Sequence, residues 1–333
     1  DVTFGAGFSS ADGPIGNIGV RERNLLGRGQ DLRLSFTLAG EASEIDFSFT
    51  EPYFLDRNLA AGTDLYRTTN DRGDESSFEE ERLGGSLRAG FNITDEIRNV
   101  VRYTLEHRDI TDVDSDASLL VRSEQGSTLR SGISNEITYD TRDSRFDPRE
   151  GFITSLRTEF FGLGGDVSFV RGSASAGYYY TVYEDWTLSV RGSGGAMVGV
   201  GEDTRISDRF FRGGGSPRGF EYGGLGPRDA TTGDSLGGKY FYTGTVEGAF
   251  PLDLPFDLDV RGRIFTDVGA VFDIDDNSIA VSLQNSSSPR VTVGTGISWN
   301  SPFGPVVVDF GYAIVKEDFD ETELFSFSFG TQF

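Results

Sequence analysis

Apolar residues recur at every second position along much of this chain. One example is Leu32–Leu38, which reads LRLSFTL. The same alternation is found in Ile45–Phe49, Val101–Leu105, Leu258–Ile264, Val291–Trp299 and Phe325–Phe333. Because successive side chains of a β-strand point to opposite faces, each segment has one apolar face and one polar face. No helical periodicity of comparable length is present, so the chain is predicted to be all-β.

The residues on the polar faces distinguish a soluble sandwich from a membrane barrel. A sandwich turns its apolar faces toward each other and leaves its polar faces in water. Here the polar faces carry Arg, Asp and Glu mixed with Gly, Ser and Thr, while the apolar faces are rich in Phe, Tyr, Val and Leu. This composition is typical of a barrel that is apolar outside and wet inside. Many segments also reach about ten residues, the length that a tilted strand needs to cross a bilayer.

The links between strands alternate in length, as they do in outer-membrane barrels. Short links are predicted at Leu26–Gln30, Asn92–Ile97, Val182–Asp185, Pro251–Pro255 and Ser301–Pro305. Long links are predicted at Thr69–Ser77, Asp109–Ser127, Arg205–Gly238, Asp273–Ser288 and Val315–Glu323. One link on the short side, Asp140–Gly151, is longer than the others. With roughly 16 strand-like segments, an even number as in bacterial barrels, the sequence predicts a 16-stranded transmembrane antiparallel β-barrel.

Composition removes several classes of function. The 333 residues include 30 Lys and Arg against 53 Asp and Glu, which gives a formal net charge of −23. Such an acidic chain is not expected to bind nucleic acid, which needs clustered basic side chains. With no Cys and a single His, the chain excludes disulfides, thiol catalysis, Cys-bound zinc and two-His metal sites. We therefore expect no metal and no cofactor.

The single histidine also argues against an enzyme. His107 ends a predicted strand beside Arg108, where a solvated histidine at the rim is expected. A protease at the outer rim would need a histidine paired with carboxylates as its proton-transfer group. Much of the acid lies in the long links. Solvation of the exterior, divalent-cation binding at a lipopolysaccharide surface and adaptation to high salt all remain open as reasons for it.

The link Arg205–Gly238 differs from the other long links in composition. After its first residue it holds four further arginines in an otherwise acidic chain, namely Arg209, Arg212, Arg218 and Arg228. Aromatic residues are interleaved with them, namely Phe210, Phe211, Phe220 and Tyr222. Links beyond about 12–15 residues without secondary structure are usually functional or disordered. This composition favours a loop that packs, and a cationic loop finds charge partners if it folds into an acidic lumen.

Two strands after this loop offer such partners. Glu247 is next to the apolar Val246, so it points to the opposite, lumen face of its strand. Asp267 lies three residues after the apolar Ile264, which puts it on the lumen face of the following strand. If the loop folds inward, both carboxylates come near Arg218, and an arginine with two carboxylates makes strong charge-assisted hydrogen bonds. The alternative is that all three are ordinary solvated charges of the lumen.

The loop segment 213–229 also carries a family resemblance. It reads GGGSPRGFEYGGLGPRD and resembles the signature of the sixth extracellular loop of the BamA family of outer-membrane β-barrel assembly proteins. The usual form there is V/I-R-G-F/Y, so Arg218, Gly219 and Phe220 match it, while Pro217 departs from it at the first position.

The resemblance to the family covers essentially the whole chain. Other segments resemble the family in the right order, namely FGAGFSSADG, NLLGRGQDLRLSF, FTEPYF, WNSPFGPVVVDFGYA and FSFSFGTQF. The GPRD that follows the loop motif resembles alphaproteobacterial members. TamA, two-partner-secretion transporters and the mitochondrial sorting barrel share the loop motif more loosely.

This resemblance implies an outer-membrane barrel of a Gram-negative bacterium, with its long sixth extracellular loop folded into the lumen, that helps other barrels fold and insert. The family's loop arginine corresponds to Arg218, and its lumen partners correspond to Glu247 and Asp267. Residues 1–333 are then one barrel domain, and the family's periplasmic POTRA domains are expected to be absent from this chain.

The resemblance also implies partners. They are unfolded outer-membrane clients, outer-membrane lipids and lipopolysaccharide, and accessory lipoproteins that bind through the POTRA domains. The alternatives are a translocation pore like TamA or the two-partner-secretion transporters, and a passive diffusion porin.

The family's mechanism places a lateral gate between the first and last strands. The gate residues of the first strand are Val2, Thr3, Phe4, Gly5, Ala6, Gly7 and Phe8. Those of the last strand are Phe325, Phe327, Phe329, Gly330 and Phe333, which also form a C-terminal signal of the kind that assembly machinery recognises. The first strand is short and contains glycine, so its pairing is expected to be weak. The alternative for the phenylalanines is that they simply face lipid.

Overall fold

The computed structural model describes residues 1–10, 13–145, 147–183, 185–252, 254, 258–275, 281–301 and 304–330. Sixteen antiparallel strands form a closed barrel, in which each strand pairs with its neighbours along the chain and the first pairs with the last. Numbered in chain order, the barrel strands are β1 Val2–Ser9, β2 Gly13–Leu25, β3 Gln30–Leu38, β4 Ala42–Glu51, β5 Ala60–Arg72, β6 Phe78–Asn92, β7 Ile97–Thr111, β8 Gly126–Asp140, β9 Gly151–Gly165, β10 Phe169–Tyr183, β11 Trp186–Gly199, β12 Tyr240–Pro251, β13 Val260–Phe272, β14 Arg290–Ser301, β15 Gly304–Val315 and β16 Phe325–Phe329. The predicted sixteen-stranded β-barrel is confirmed.

The two faces of each strand are distributed as the alternation predicts. Apolar side chains such as Phe4, Leu34 and Ile264 are exposed on the outside of the barrel. Polar and charged side chains such as Asp64 and Asp267 are buried on the inside. A register slip of one residue would turn a whole strand over, so this alternation fixes which face meets lipid. The low share of apolar residues in the whole chain follows from this arrangement, because only alternate residues of a strand need to be apolar.

The strands vary in length more than the sequence pattern suggests. β6 to β10 contain 15 residues each and β16 only five, whereas the pattern indicates about ten residues for many segments. The predicted long link Thr69–Ser77 is wrong, because β5 continues to Arg72 and a four-residue helix, α1 Gly73–Ser76, leads directly into β6. Beyond the bilayer both faces of a strand can be polar, so the alternation ends before the ladder of hydrogen bonds does.

Apolar side chains from several links pack into a cap over one end of the barrel. We call this cluster the outer cap, and its buried members are Phe78, Ile110, Ala117, Leu120, Val121, Ile206, Phe211 and Leu236. It includes a second short helix, α2 Leu119–Ser123, and a 3-10 turn at Ile206–Asp208. A two-residue ladder joins Arg228–Asp229 to Leu283–Gln284 nearby in the links. Among the described residues no helix is both long and apolar enough to cross a membrane.

Candidate functional site

The long loop between β11 and β12 lies inside the barrel for much of its length. Phe210 is buried, and its ring centroid lies 4.6 Å from that of Phe241 on β12. The backbone N–H of Phe210 donates to the carbonyl of Gly238 (2.9 Å), which pins the two ends of the loop together. The loop therefore enters and leaves the lumen at one place on the wall.

Arg218 lies at the inner part of this loop and contacts both carboxylates named from the sequence. Its Nε and Nη2 atoms donate to the two oxygens of Asp267 on β13, at 2.8 and 2.9 Å. Its Nη1 donates to Glu247 on β12 at 2.6 Å, and its backbone N–H donates to Asp267 at 3.0 Å. The guanidinium also stacks on Phe265, with its carbon 3.4 Å from the ring centroid. The structure thus brings Arg218, Glu247 and Asp267 together in one buried cluster, which we call the Arg218 cluster.

The cluster contains charged groups that the sequence reasoning missed. Asp309 on β15 lies 3.9 Å from Arg218 and accepts a hydrogen bond from Arg263 at 2.6 Å. Arg191 lies 3.5 Å from Glu247. A single carboxylate inside the apolar run VVVDFGY was the available signal for Asp309. The full set has three guanidinium groups against three carboxylates, although the Arg191 side chain is 45% exposed.

Electrostatics keep the loop arginine charged. Burial acts to lower the pKa of Arg218, but the hydrogen bonds and negative charges of Asp267 and Glu247 outweigh it, and the pKa is raised overall. Removing one partner from such a buried set leaves an uncompensated charge, which is strongly destabilising. The arrangement can therefore hold the loop in one position.

The motif residues on either side of Arg218 fit the wall closely. Gly219 has φ +87°, and a Cβ there would lie 2.8 Å from the Thr292 methyl of β14, so only glycine fits without strain. Phe220 is completely buried. Pro217, which departs from the family motif, packs against Gly269 of β13, since a Cβ at Gly269 would meet its ring at 3.2 Å.

The other loop arginines also contact specific partners. Arg209 is buried and donates to the carbonyl of Thr204 at 2.7 Å. The Arg212 guanidinium stacks 3.8 Å over the ring of Phe241. Arg228 donates to Glu321 at 2.7 Å. Arg212 thus contacts the wall, Arg209 binds the loop itself, and Arg228 binds the link between β15 and β16.

β1 and β16 close the barrel, and we call this closure the seam. In the described residues the two strands pair only at Phe8 with Phe329 and at Ser9 with Ser328. On its other side β1 pairs with β2 along its whole length, Val2–Ser9. Val2–Gly7 therefore has no ladder partner on β16 in this part of the chain.

The predicted gate residues lie on both sides of this seam. Phe4 and Phe325 are exposed on the outer face, and the Phe8 and Phe327 rings lie 6.1 Å apart across the seam. A Cβ at Gly330 would lie 2.6 Å from the carbonyl of Ala6, so the two backbone segments approach closely there. The remaining gate residues of β1 are Val2, Thr3, Gly5 and Gly7. Phe329 ends β16, and Phe333 lies outside the described residues.

Two weaker candidates from the sequence lie away from this site. His107 is half exposed on β7, with its Nε2 atom 3.3 Å from Asp109. The long turn between β8 and β9 is built around Asp143, which accepts backbone hydrogen bonds from Ser144, Arg149 and Glu150 at 2.9 to 3.1 Å. In the part of the chain that the structure describes, no group of three His, Asp or Glu side chains is placed to hold a metal ion.

Comparison with known proteins identifies the family. The Omp85 superfamily domain matches residues 24–333. The chain belongs to the Omp85 superfamily. This membership confirms the family resemblance inferred from the loop motif, and with the closed barrel and its apolar outer face it makes the chain an integral outer-membrane protein of a Gram-negative bacterium.

Relatives and solved structures extend this result for the Omp85 barrel. The chain is 30% identical to the outer membrane protein assembly factor BamA of Neorickettsia risticii, over 100% of this chain and 45% of that relative. It is also 30% identical to the human sorting and assembly machinery component 50 homolog, over 71% of this chain and 50% of that protein. The fold matches the crystal structure of BamA from Haemophilus ducreyi lacking POTRA domains 1–3, with a TM-score of 0.86 at 21% identity, over 99% of this chain and 70% of that one. The chain spans about half the length of the curated relatives that it matches.

Proposed function

We propose that this Omp85 barrel is the membrane part of an assembly factor that folds and inserts other outer-membrane β-barrels, and that clients engage it at the seam. Relatives in bacteria and in human cells carry names of assembly components, which supports this class of function. The observation that carries the proposal is that, among the residues that the structure describes, β1 and β16 pair at two positions only.

The physics of the seam favours strand exchange. A backbone group without a hydrogen-bond partner costs several kcal/mol in a bilayer. Alternate residues of Val2–Gly7 direct their N–H and C=O groups toward the seam, where the described part of β16 gives them no ladder partner. An incoming client strand would satisfy these groups by adding to the edge of β1. The proposed activity therefore needs no bond chemistry and no energy source beyond client folding.

The Arg218 cluster is proposed to support this activity by holding the loop against the wall next to the seam. A cavity of about 480 Å³ beside the cluster is lined by Arg218, Arg263 and Asp309, and also by Ser328 of β16. Gly219 packs on β14 and β15, which immediately precede the last strand. The loop would thus keep β14 and β15 in position while β16 separates from β1.

The proposed partners follow from the same activity. They are unfolded outer-membrane proteins, with outer-membrane lipids and lipopolysaccharide around the barrel. Accessory lipoproteins are proposed to act through POTRA domains of the longer protein.

A disulfide across the seam tests the gate. The chain has no cysteine, so a pair introduced at Ser9 and Ser328, which are direct partners, forms without competition. The full-length protein with this pair replaces the wild type in cells, and the levels of many outer-membrane proteins are followed. We expect a general loss of outer-membrane barrels under oxidising conditions, and recovery with a reductant.

The matched control is a cysteine pair at Asn17 and Thr37, which are partners on β2 and β3 and should never separate. It should leave client assembly unchanged. Undiminished client insertion by the locked seam contradicts the gate. Loss of one solute or one secreted protein upon depletion, instead of many barrels, favours a porin or a dedicated translocation pore.

A further inference from the structure

A second ion cluster holds the long loop on another part of the wall. We call it the Asp208 cluster, and it consists of Asp208 from the loop with Glu80, Glu106, Arg108 and Arg130 from β6, β7 and β8. All five residues are at most 8% exposed. Charges buried to this degree persist only when they are paired and hydrogen-bonded.

Arginines of the wall hold two consecutive loop residues in this cluster. Arg130 donates to the Asp208 carboxylate. Arg108 donates to the carbonyl of Ser207 at 2.8 Å, and Arg171 on β10 donates to the carbonyl of Asp208 at 3.0 Å. Arg108 is itself held in position, because it also donates to Glu106 at 2.8 Å. The short 3-10 turn that ends at Asp208 is therefore held by arginines of three barrel strands, β7, β8 and β10.

The two clusters have opposite polarity. In the Arg218 cluster the loop supplies the cation and the wall supplies the carboxylates, from β12 and β13. In the Asp208 cluster the loop supplies the carboxylate and the wall supplies the cations, from β7 and β8. The two loop residues are ten positions apart in sequence (218 − 208), and β9 to β11 separate the two walls in the barrel.

Opposite polarity fixes the direction in which the loop can lie. If the loop turned around, Asp208 would meet Glu247 and Asp267, and Arg218 would meet a wall in which Arg108 and Arg130 are already paired with Glu80 and Glu106. A third carboxylate beside Glu247 and Asp267 is strongly unfavourable in a buried site, so the observed direction is favoured over the reversed one. A single ion cluster would leave the loop free to pivot about it.

We propose that Asp208 is a second positioning residue, and that the loop is a brace that ties the β7–β8 wall to the β12–β13 wall across the lumen. The brace is a property of the folded barrel and does not depend on the proposed function. Its consequence for client insertion does rest on that function, because the braced β12–β13 wall stands close to the strands of the seam.

Spin labels on the full chain test the brace directly. Cysteines at Thr111, at the end of β7, and at Thr232, in the loop, carry the labels, since both residues are exposed and the chain has no other cysteine. Asp208→Asn should broaden the distance distribution and speed proteolysis of the loop about tenfold, because local opening sets cleavage. Asp208→Glu should restore a narrow distribution. The matched control is Asp203→Asn, which removes the same charge from an exposed position five residues earlier.

A second variant covers the case in which Asp208→Asn does not fold. Arg130→Lys keeps the charge of the wall but loses the planar fork, and it should also broaden the distribution. A distribution as narrow as that of the Asp203→Asn control, in both variants, overturns the brace. A broadened distribution supports it, and client insertion measured in the same variants then separates the two proposals. Unchanged insertion with a broadened distribution supports the brace and counts against a role of the loop in the proposed function.

Discussion

Replacing Arg218 by alanine is the sharpest test of the Arg218 cluster. The change removes three hydrogen bonds from the guanidinium, two to Asp267 and one to Glu247. Asp267 is 1% exposed and Glu247 9%, so water cannot replace the lost partner without opening the site. Removing one partner of a buried ion pair typically destabilises a protein by about 3–5 kcal/mol. We expect a loss in this range for Arg218→Ala.

The measurement is equilibrium unfolding of the purified chain in lipid vesicles by denaturant, with proteolysis of the loop followed in parallel. Arg218→Lys keeps the charge but cannot bind Asp267 through two nitrogen atoms, so it should give an intermediate loss. The control is Arg122→Ala on the exposed side of α2, which should change stability by no more than about 0.5 kcal/mol.

A double-mutant cycle decides whether the loss comes from the cluster. Arg218→Ala and Asp267→Asn share one interaction, so their combined effect should fall short of the sum by more than about 0.5 kcal/mol. Additive effects would show that the two residues act separately. A change for Arg218→Ala as small as that of the control would refute the reasoning outright.

Two further predictions concern the backbone. Gly219→Ala should destabilise the barrel by about 1–3 kcal/mol, because it combines a left-handed φ with a Cβ 2.8 Å from the Thr292 methyl. The control is Gly215→Ala, whose Cβ meets nothing within 4 Å and which should be neutral in the same unfolding assay. Backbone hydrogen bonds from Glu150, Arg149 and Ser144 hold the pKa of Asp143 below its ordinary value. The turn should therefore keep its full hydrogen-exchange protection above pH of about 4 and lose it as the pH falls through the lower, folded-state pKa, and Asp143→Asn should abolish this pH dependence.

Much of the barrel could be predicted from local pattern. Alternation of two residues fixes the face of each side chain, which is why Glu247 and Asp267 were assigned to the lumen before any contact was known. The arginine-rich loop before these strands then offers Arg218 as their partner, and the loop motif agrees with it. These inferences succeed because they need only the parity of a strand and the order of neighbouring strands.

The missed contacts depend on the closed shape. Asp309 reaches the Arg218 cluster from β15, and Arg130 meets Asp208 from β8, so both contacts depend on where the loop runs through the lumen. The periodicity of residues within a strand gives no information about the path of the loop. The end of β5 does not follow from the pattern either, since the strand continues to Arg72 through residues 68–72, which are polar on both faces.

The outer cap has a consequence for recognition from outside the cell. Its buried members come from β6, β7, α2 and both halves of the long loop, so its surface is a discontinuous epitope that exists only in the assembled barrel. An antibody that binds across these segments would bind the folded cap and not the separate peptides. Because two of the contributing stretches, around Ile206 and Leu236, flank the residues that hold the loop in the lumen, such an antibody would clamp the loop from the outside.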